Sequence, residues 1–164
     1  MNKPLNYAMK VLSVRDYSEA EIRRKLAAYL FSAADKSAPE DDDELSRAQM
    51  QDEIERAVEY CRQNDWINDR RYALRYVHSR SRKGYGVQRI RAELGLKGVE
   101  KATISATLAE CDIDWCRLAR DAAEKKFGLP LPVDWKEKAK LQRFLLSRGF
   151  FHEEIQSIYM KISD

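Results

Sequence analysis

Apolar residues recur at helical spacing along almost the whole chain, in nine successive segments. The first segment is typical, since Leu5, Ala8, Met9 and Leu12 occupy the i, i+3, i+4 and i+7 positions of one helical face. The chain contains only 6 Gly and 4 Pro, too few for the many turns of a sandwich or barrel. The pattern therefore predicts an all-α fold.

Capping residues predict where several of these helices begin. Ser18 and Glu21 have the spacing of a capping box, in which each side chain accepts a hydrogen bond from an otherwise unpaired backbone N–H. The first helix is expected from about Pro4 to Val14. Candidate caps of the fourth, seventh and eighth helices are, in that order, Asp69, Asp112 or Asp114, and Asp134.

Charge is unevenly distributed, although the formal net charge is only +3. Between Asp35 and Glu59 there are ten acidic and three basic residues, whereas between Arg70 and Lys101 there are ten basic and two acidic residues. The most acidic stretch, residues 33–44, has too few apolar residues to remain ordered by itself and is predicted to be a solvated loop. Such a polarised chain can bind a polyanion, or a partner of matching charge pattern, through one face.

Turn residues repeat along the sequence as well. Lys97-Gly98 matches Arg148-Gly149 at an offset of 51, together with the apolar positions that follow. Arg15–Ser18 matches Lys83–Gly86 at an offset of 68. These matches predict three tandem three-helix repeats in an elongated, curved array with an extended binding surface. The predicted units are residues 5–66, which include the acidic loop, the basic unit 67–111, and 112–164.

No group of residues has the spacing of a catalytic or metal site. Lys83–Gly86 lacks the Gly-Lys-Ser/Thr ending of a phosphate loop and is predicted to be a turn, with glycines at positive φ and Tyr85 packed or stacked. The three cysteines are expected to be reduced thiols, Cys61 and Cys116 lying in the core. We therefore expect no enzyme activity, metal, cofactor or small-molecule substrate. Because no apolar run is long enough to span a membrane and no signal peptide is visible, we expect a cytoplasmic protein without membrane contacts.

The basic block is the strongest functional signal in the sequence, and tyrosines are interleaved with its cations. It could bind nucleic acid or an acidic protein groove, or it could be surface charge balanced by acidic residues of the first unit. A second, weaker basic stripe lies in the third unit. The candidate binding residues are Arg71, Arg75, Arg80, Arg82, Lys83, Tyr85, Arg89, Arg91 and Lys97 in the main block, with Lys138, Lys140 and Arg143 in the second stripe.

Four stretches of the chain share a pattern with one known protein family. They are Ser79–Gly86 with Ile90 and Glu93-Leu94, Val14–Ser18 with Glu21 and Arg23–Leu26, Glu110–Cys116, and Gln142–Leu146 with Arg148-Gly149. Together they resemble the RecX family, bacterial regulators of the RecA recombinase. The resemblance is strongest at Ser79–Gly86 and extends over almost the whole chain, with the acidic loop around Pro39 least similar.

The resemblance implies tandem three-helix repeats and a partner, the RecA filament. Members of the family restrain ATP hydrolysis, strand exchange and co-protease activity by RecA, and are thought to lie in the groove of the RecA–DNA filament. A basic face there would contact single-stranded or filament-bound DNA as well as protein. The family has no agreed catalytic residues. The alternative is a nucleic-acid-binding protein that acts independently of RecA.

Overall fold

The computed structural model describes residues 2–33 and 43–160, and within them every regular element is an α-helix. This confirms the predicted all-α class. In chain order the helices are α1 Lys3–Val14, α2 Glu19–Ala33, α3 Asp43–Gln63, α4 Asp69–Arg82, α5 Val87–Leu96, α6 Lys101–Glu110, α7 Trp115–Phe127, α8 Trp135–Arg148 and α9 His152–Met160.

Side-chain caps fix several helix starts. In the predicted capping box, Ser18 N donates to Glu21 Oε1 at 3.0 Å and Glu21 N donates to Ser18 Oγ at 3.2 Å. Asp114, rather than Asp112, accepts from Arg117 N and thereby caps α7. Asp134 caps α8 in the same way, as predicted, by accepting from Glu137 N.

The predicted cap of α4 was wrong by one residue. Asn68 Oδ1 accepts from Arg71 N at 3.1 Å, and Asp69 is the first residue of the helix. The Asp69 carboxylate instead accepts from Glu19 N at 2.9 Å, at the start of α2. Both residue types are good caps. Only the contact with α2 distinguishes their roles.

Both ends of the predicted acidic loop, residues 33–44, belong to helices in the structure. Ala33 is the last residue of α2, and α3 begins at Asp43, where acidic residues are favoured by the positive end of the helix dipole. Residues 34–42 lie outside the part of the chain that the structure describes.

The chain divides into two compact units. One consists of Met1–Tyr72 with Lys97–Val99, and the other of Ala73–Leu96 with Glu100–Asp164. In the first, α1, α2 and α3 pack around a core that includes Ile22, Leu26 and Cys61. The predicted three-unit boundaries at 66/67 and 111/112 stay a prediction.

The C-terminal part of the second unit has its own core. Leu141, Leu145 and Phe150 are fully buried there beside Ala119 of α7, and α9 adds Ile155 and Ile158. Cys116 was predicted to lie in this core but is only partly buried at the start of α7. The three cysteines are free thiols, as predicted, and burial raises the pKa of the Cys61 thiol.

Candidate basic interface

The turn at residues 83–86 packs against the turn between α8 and α9. Gly86 N donates to Arg148 O at 2.7 Å, and Gln88 N donates to Gly149 O at 2.9 Å. Gly84 has the predicted positive φ, +90°, but Gly86 does not. Gly86 is required for another reason, because a Cβ there would lie 2.6 Å from the carbonyl carbon of Gly149.

Tyr85, at the centre of this turn, is surrounded by guanidinium groups. The Cζ atoms of Arg80, Arg89 and Arg148 lie 4.0, 4.4 and 4.7 Å from the centroid of its ring. These are cation–π distances, and they confirm the predicted stacking role of Tyr85. Arg148, which lies at the end of the second basic stripe, was absent from the candidate binding residues.

Glu93 of α5 neutralises part of the predicted basic face. Its carboxylate accepts from Arg80 Nε at 2.9 Å, Arg89 Nε at 3.3 Å and the Tyr76 hydroxyl at 2.8 Å. Burial raises the pKa of Glu93, but these three hydrogen bonds outweigh it, and the pKa lies below its usual value. Arg80 and Arg89 therefore hold the turn in place and are only partly available to a ligand.

Replacing Glu93 by glutamine is expected to lower the free energy of unfolding by about 1 kcal/mol at neutral pH. Because the folded-state pKa of Glu93 is lowered, its stabilisation is present above the unfolded value of about 4.3 and is lost as pH falls through the lower folded value. Urea unfolding should thus show a larger loss of stability relative to the parent at neutral pH than near pH 3. The control is Glu137→Gln, which removes an exposed pair with Lys140 and should change little. An equal loss for Glu93→Gln at both pH values would contradict this account.

Two predicted binding residues belong to the first compact unit and are paired there. Arg71 Nη1 lies 3.0 Å from Asp65 Oδ2, and its Nη2 lies 3.5 Å from Asp16 Oδ1. Lys97 Nζ lies 3.6 Å from Glu21 Oε2. For these two cations the alternative of surface charge balanced by acidic residues of the first unit describes the structure better.

The other candidate residues lie in the second unit. Arg75 and Arg82 are exposed along α4, and Lys83 follows directly after that helix. Contacts for the remaining ones are weak or local: Arg91 Nη1 donates to Ser105 Oγ at 3.4 Å, Lys138 Nζ lies 4.3 Å from the Tyr159 ring centroid, Lys140 pairs with Glu137 at 3.2 Å, and Arg143 is exposed.

The structure brings Arg82 and Lys83 together with cations that the sequence prediction left out. They line a cleft of about 430 Å³ with Lys125 and Lys126 of α7 and Arg148 of α8. The sequence signal for the two lysines was present, since they form the basic last turn of α7. Nothing in the sequence placed that turn beside the end of α4.

Within residues 2–33 and 43–160, no three His, Cys, Asp or Glu side chains are grouped so that they could hold a metal ion. None of the helices described is both long and apolar enough to cross a membrane.

Comparison with known proteins decides the family. The chain matches the family model for the second three-helix domain of RecX over residues 68–108, and that for the third over residues 112–158. It is 59% identical over 164 residues to the regulatory protein RecX of Pectobacterium atrosepticum, covering 100% of both chains. The chain belongs to the RecX family. The resemblance seen in the sequence is thereby confirmed.

Other RecX proteins agree in sequence and fold. The RecX of Serratia proteamaculans is 54% identical over 167 residues, with 97% of each chain covered. A crystal structure of RecX from Lactobacillus salivarius superposes with a TM-score of 0.73 at 19% identity, covering 98% of this chain and 95% of that one. A second RecX crystal structure gives 0.72 at 22% identity, covering 96% of this chain and 70% of the other. The three-helix-domain fold of RecX is therefore shared at low identity.

Proposed function

We propose that this chain binds RecA filaments and restrains their ATP hydrolysis, strand exchange and co-protease activity, without catalysing a reaction itself. The observation that carries the proposal is RecX family membership along the whole chain, with relatives named regulatory protein RecX. In this proposal the protein acts in the cytoplasm, where a RecA filament on DNA is its partner.

The three-unit organisation is part of the proposal, and similar turn contacts support it. Ser18 Oγ donates to Lys97 O at 2.6 Å, while Gly86 N donates to Arg148 O at 2.7 Å. The two acceptors are 51 residues apart, as are the positive-φ glycines Gly98 and Gly149 that follow them. The Ser18 turn thus packs against the Lys97-Gly98 turn as the Gly86 turn packs against the Arg148-Gly149 turn. Such matching contacts are expected for tandem repeats with boundaries near 66/67 and 111/112.

The binding face is proposed to consist mainly of cations of the second unit that lack a carboxylate partner. Arg82, Lys83 and Arg143 make no ion pair with any residue that the structure describes. Arg71, Arg80, Arg89, Lys97 and Lys140 are ion-paired within the protein and would contribute less. An unpaired cation gains more from an anionic partner, because no existing pair must be broken.

Fluorescence anisotropy tests this function against the RecA-independent alternative. Labelled single-stranded DNA, bare or coated with RecA and a non-hydrolysed ATP analogue, is titrated with this protein across a salt series. The proposal predicts binding to the RecA-coated strand that is at least about tenfold tighter than to the bare strand. Equal affinity for both, with a steep loss at higher salt, would instead support a nucleic-acid-binding protein that needs no RecA.

A further inference from the structure

The cleft in the second unit concentrates positive charge from three helices. Its rim is formed by the end of α4, the last turns of α7 and the end of α8. The charged side chains that line it are Arg82, Lys83, Lys125, Lys126, Arg148 and one carboxylate, Asp121. Five cations against one anion in about 430 Å³ produce a strongly positive local potential.

These five cations are not used to stabilise the fold through ion pairs. Within residues 2–33 and 43–160, none of them pairs with a carboxylate. Lys126 and Arg148 make cation–π contacts with the Phe144 ring of α8, and Arg148 also stacks on the Tyr85 ring. Arg80 and Arg89, in contrast, are held by Glu93. The cleft therefore carries the charge that is available to a ligand.

The apolar part of the cleft lining restricts the ligand further. Leu118, Ala122 and Phe144 line the cleft together with the cations. A nucleotide of a single strand offers a phosphate for the cations, a flat base for these apolar side chains, and base N–H groups that can donate to Asp121. A duplex keeps its bases stacked inside, and an acidic peptide lacks the flat base. The cleft volume of about 430 Å³ lies within the usual range of ligand-binding sites.

We propose that this cleft binds the backbone and an unstacked base of single-stranded nucleic acid, with Lys125, Lys126 and Arg148 as phosphate-binding residues. The inference deepens the proposed function and rests on it for the presence of such a strand, which runs through a RecA filament. It adds residues of α7 that neither the repeat nor the basic block indicated.

The test compares two variants with equal net charge. Lys125→Gln/Lys126→Gln neutralises the cleft, and Lys10→Gln/Lys101→Gln neutralises two exposed lysines elsewhere. Binding of each to labelled oligothymidylate is followed by anisotropy across a salt series, with matching duplex, inorganic phosphate and polyglutamate as competitors. Thermal unfolding checks that both double variants are folded as stably as the parent.

The cleft variant is expected to bind the single strand about tenfold more weakly than the parent near 0.1 M salt, with a salt slope shallower by about 1.4. The control should bind like the parent, and the duplex and polyglutamate should compete poorly. Equal binding by both variants and the parent would overturn the inference, as would polyglutamate competing as well as oligothymidylate.

The same variants in a RecA ATPase assay separate this inference from the proposed function. A cleft variant that binds the single strand normally but no longer inhibits RecA would overturn strand binding and leave the RecA function standing. If the cleft variant loses strand binding but the parent itself does not inhibit RecA, the cleft assignment stands and the RecA function is contradicted.

Discussion

Gly149→Ala is expected to lower the free energy of unfolding by about 4 kcal/mol, the largest single-residue effect that we predict. Gly149 has φ +100° and ψ 11°, a left-handed conformation that costs alanine about 1–2 kcal/mol. A Cβ there would also lie 2.5 Å from both the backbone nitrogen and the Cβ of Arg89. The Arg89 backbone cannot move aside without separating the turn at residues 83–86 from the turn at Gly149. The cost of the left-handed backbone and the cost of the steric overlap therefore add.

Alanine substitutions at three other glycines separate the cost of the left-handed backbone from the cost of steric overlap. Gly86→Ala introduces overlap with the Gly149 carbonyl carbon without positive φ and should cost about 3 kcal/mol. Gly84→Ala has φ +90° but only ordinary contact, 3.9 Å from Ala122 Cβ, and should cost about 1–2 kcal/mol. Gly95→Ala, in α5 with open space, should stabilise by about 0.5–1 kcal/mol.

Urea unfolding followed by circular dichroism measures all four variants under one set of conditions. The expected order of stability is Gly95→Ala above the parent, then Gly84→Ala, Gly86→Ala and Gly149→Ala. A Gly149→Ala variant no less stable than Gly84→Ala would show that the two turns are not packed as described.

Local signals in the sequence predicted the helices well because each helix start depends on near neighbours. The capping box at Ser18 and Glu21 is complete within four residues, and its two hydrogen bonds form as predicted. Asp69 shows the limit of this reasoning. Its neighbour Asn68 is an equally good cap, and only the start of α2, about 50 residues away, gives the Asp69 carboxylate a different use.

The site was predicted less completely because charge availability depends on packing between helices. Arg80 and Arg89 look like free cations in the sequence, yet both reach Glu93, and Arg80 does so across the turn from α4 to α5. Lys125 and Lys126 lie more than 40 residues beyond Lys83 and meet it only because α7 packs near the end of α4. The predicted repeat matched Lys97-Gly98 with Arg148-Gly149, and each of these turns packs against another turn of its own unit: Lys97 accepts from Ser18, and Arg148 accepts from Gly86.

Arg82→Glu/Lys83→Glu is expected to raise the concentration needed for half-inhibition of RecA by at least about tenfold. Both side chains are exposed, and neither pairs with a carboxylate in the part of the chain described, so reversal removes attraction and adds repulsion toward an anionic filament. Arg80 and Arg89 are unsuitable for this test, because reversing them would place like charges beside Glu93.

Two companion variants separate a binding defect from a folding defect. Arg82→Gln/Lys83→Gln avoids a new negative charge at the C-terminal end of α4, where the helix dipole disfavours it by about 0.3–1 kcal/mol, and should show a smaller loss. Lys10→Glu/Lys101→Glu changes the net charge by the same amount as the reversed variant at exposed positions outside the proposed face. That control should inhibit RecA as the parent does.

The most direct test of the RecA assignment is to follow ATP hydrolysis by RecA filaments on single-stranded DNA while each protein is titrated in. The parent and the Lys10→Glu/Lys101→Glu control should inhibit hydrolysis at similar concentrations, and Arg82→Glu/Lys83→Glu should need at least about ten times more. If the parent leaves hydrolysis unchanged, the RecA function is contradicted. If the reversed variant inhibits as well as the parent, the basic face is not the surface that binds the filament.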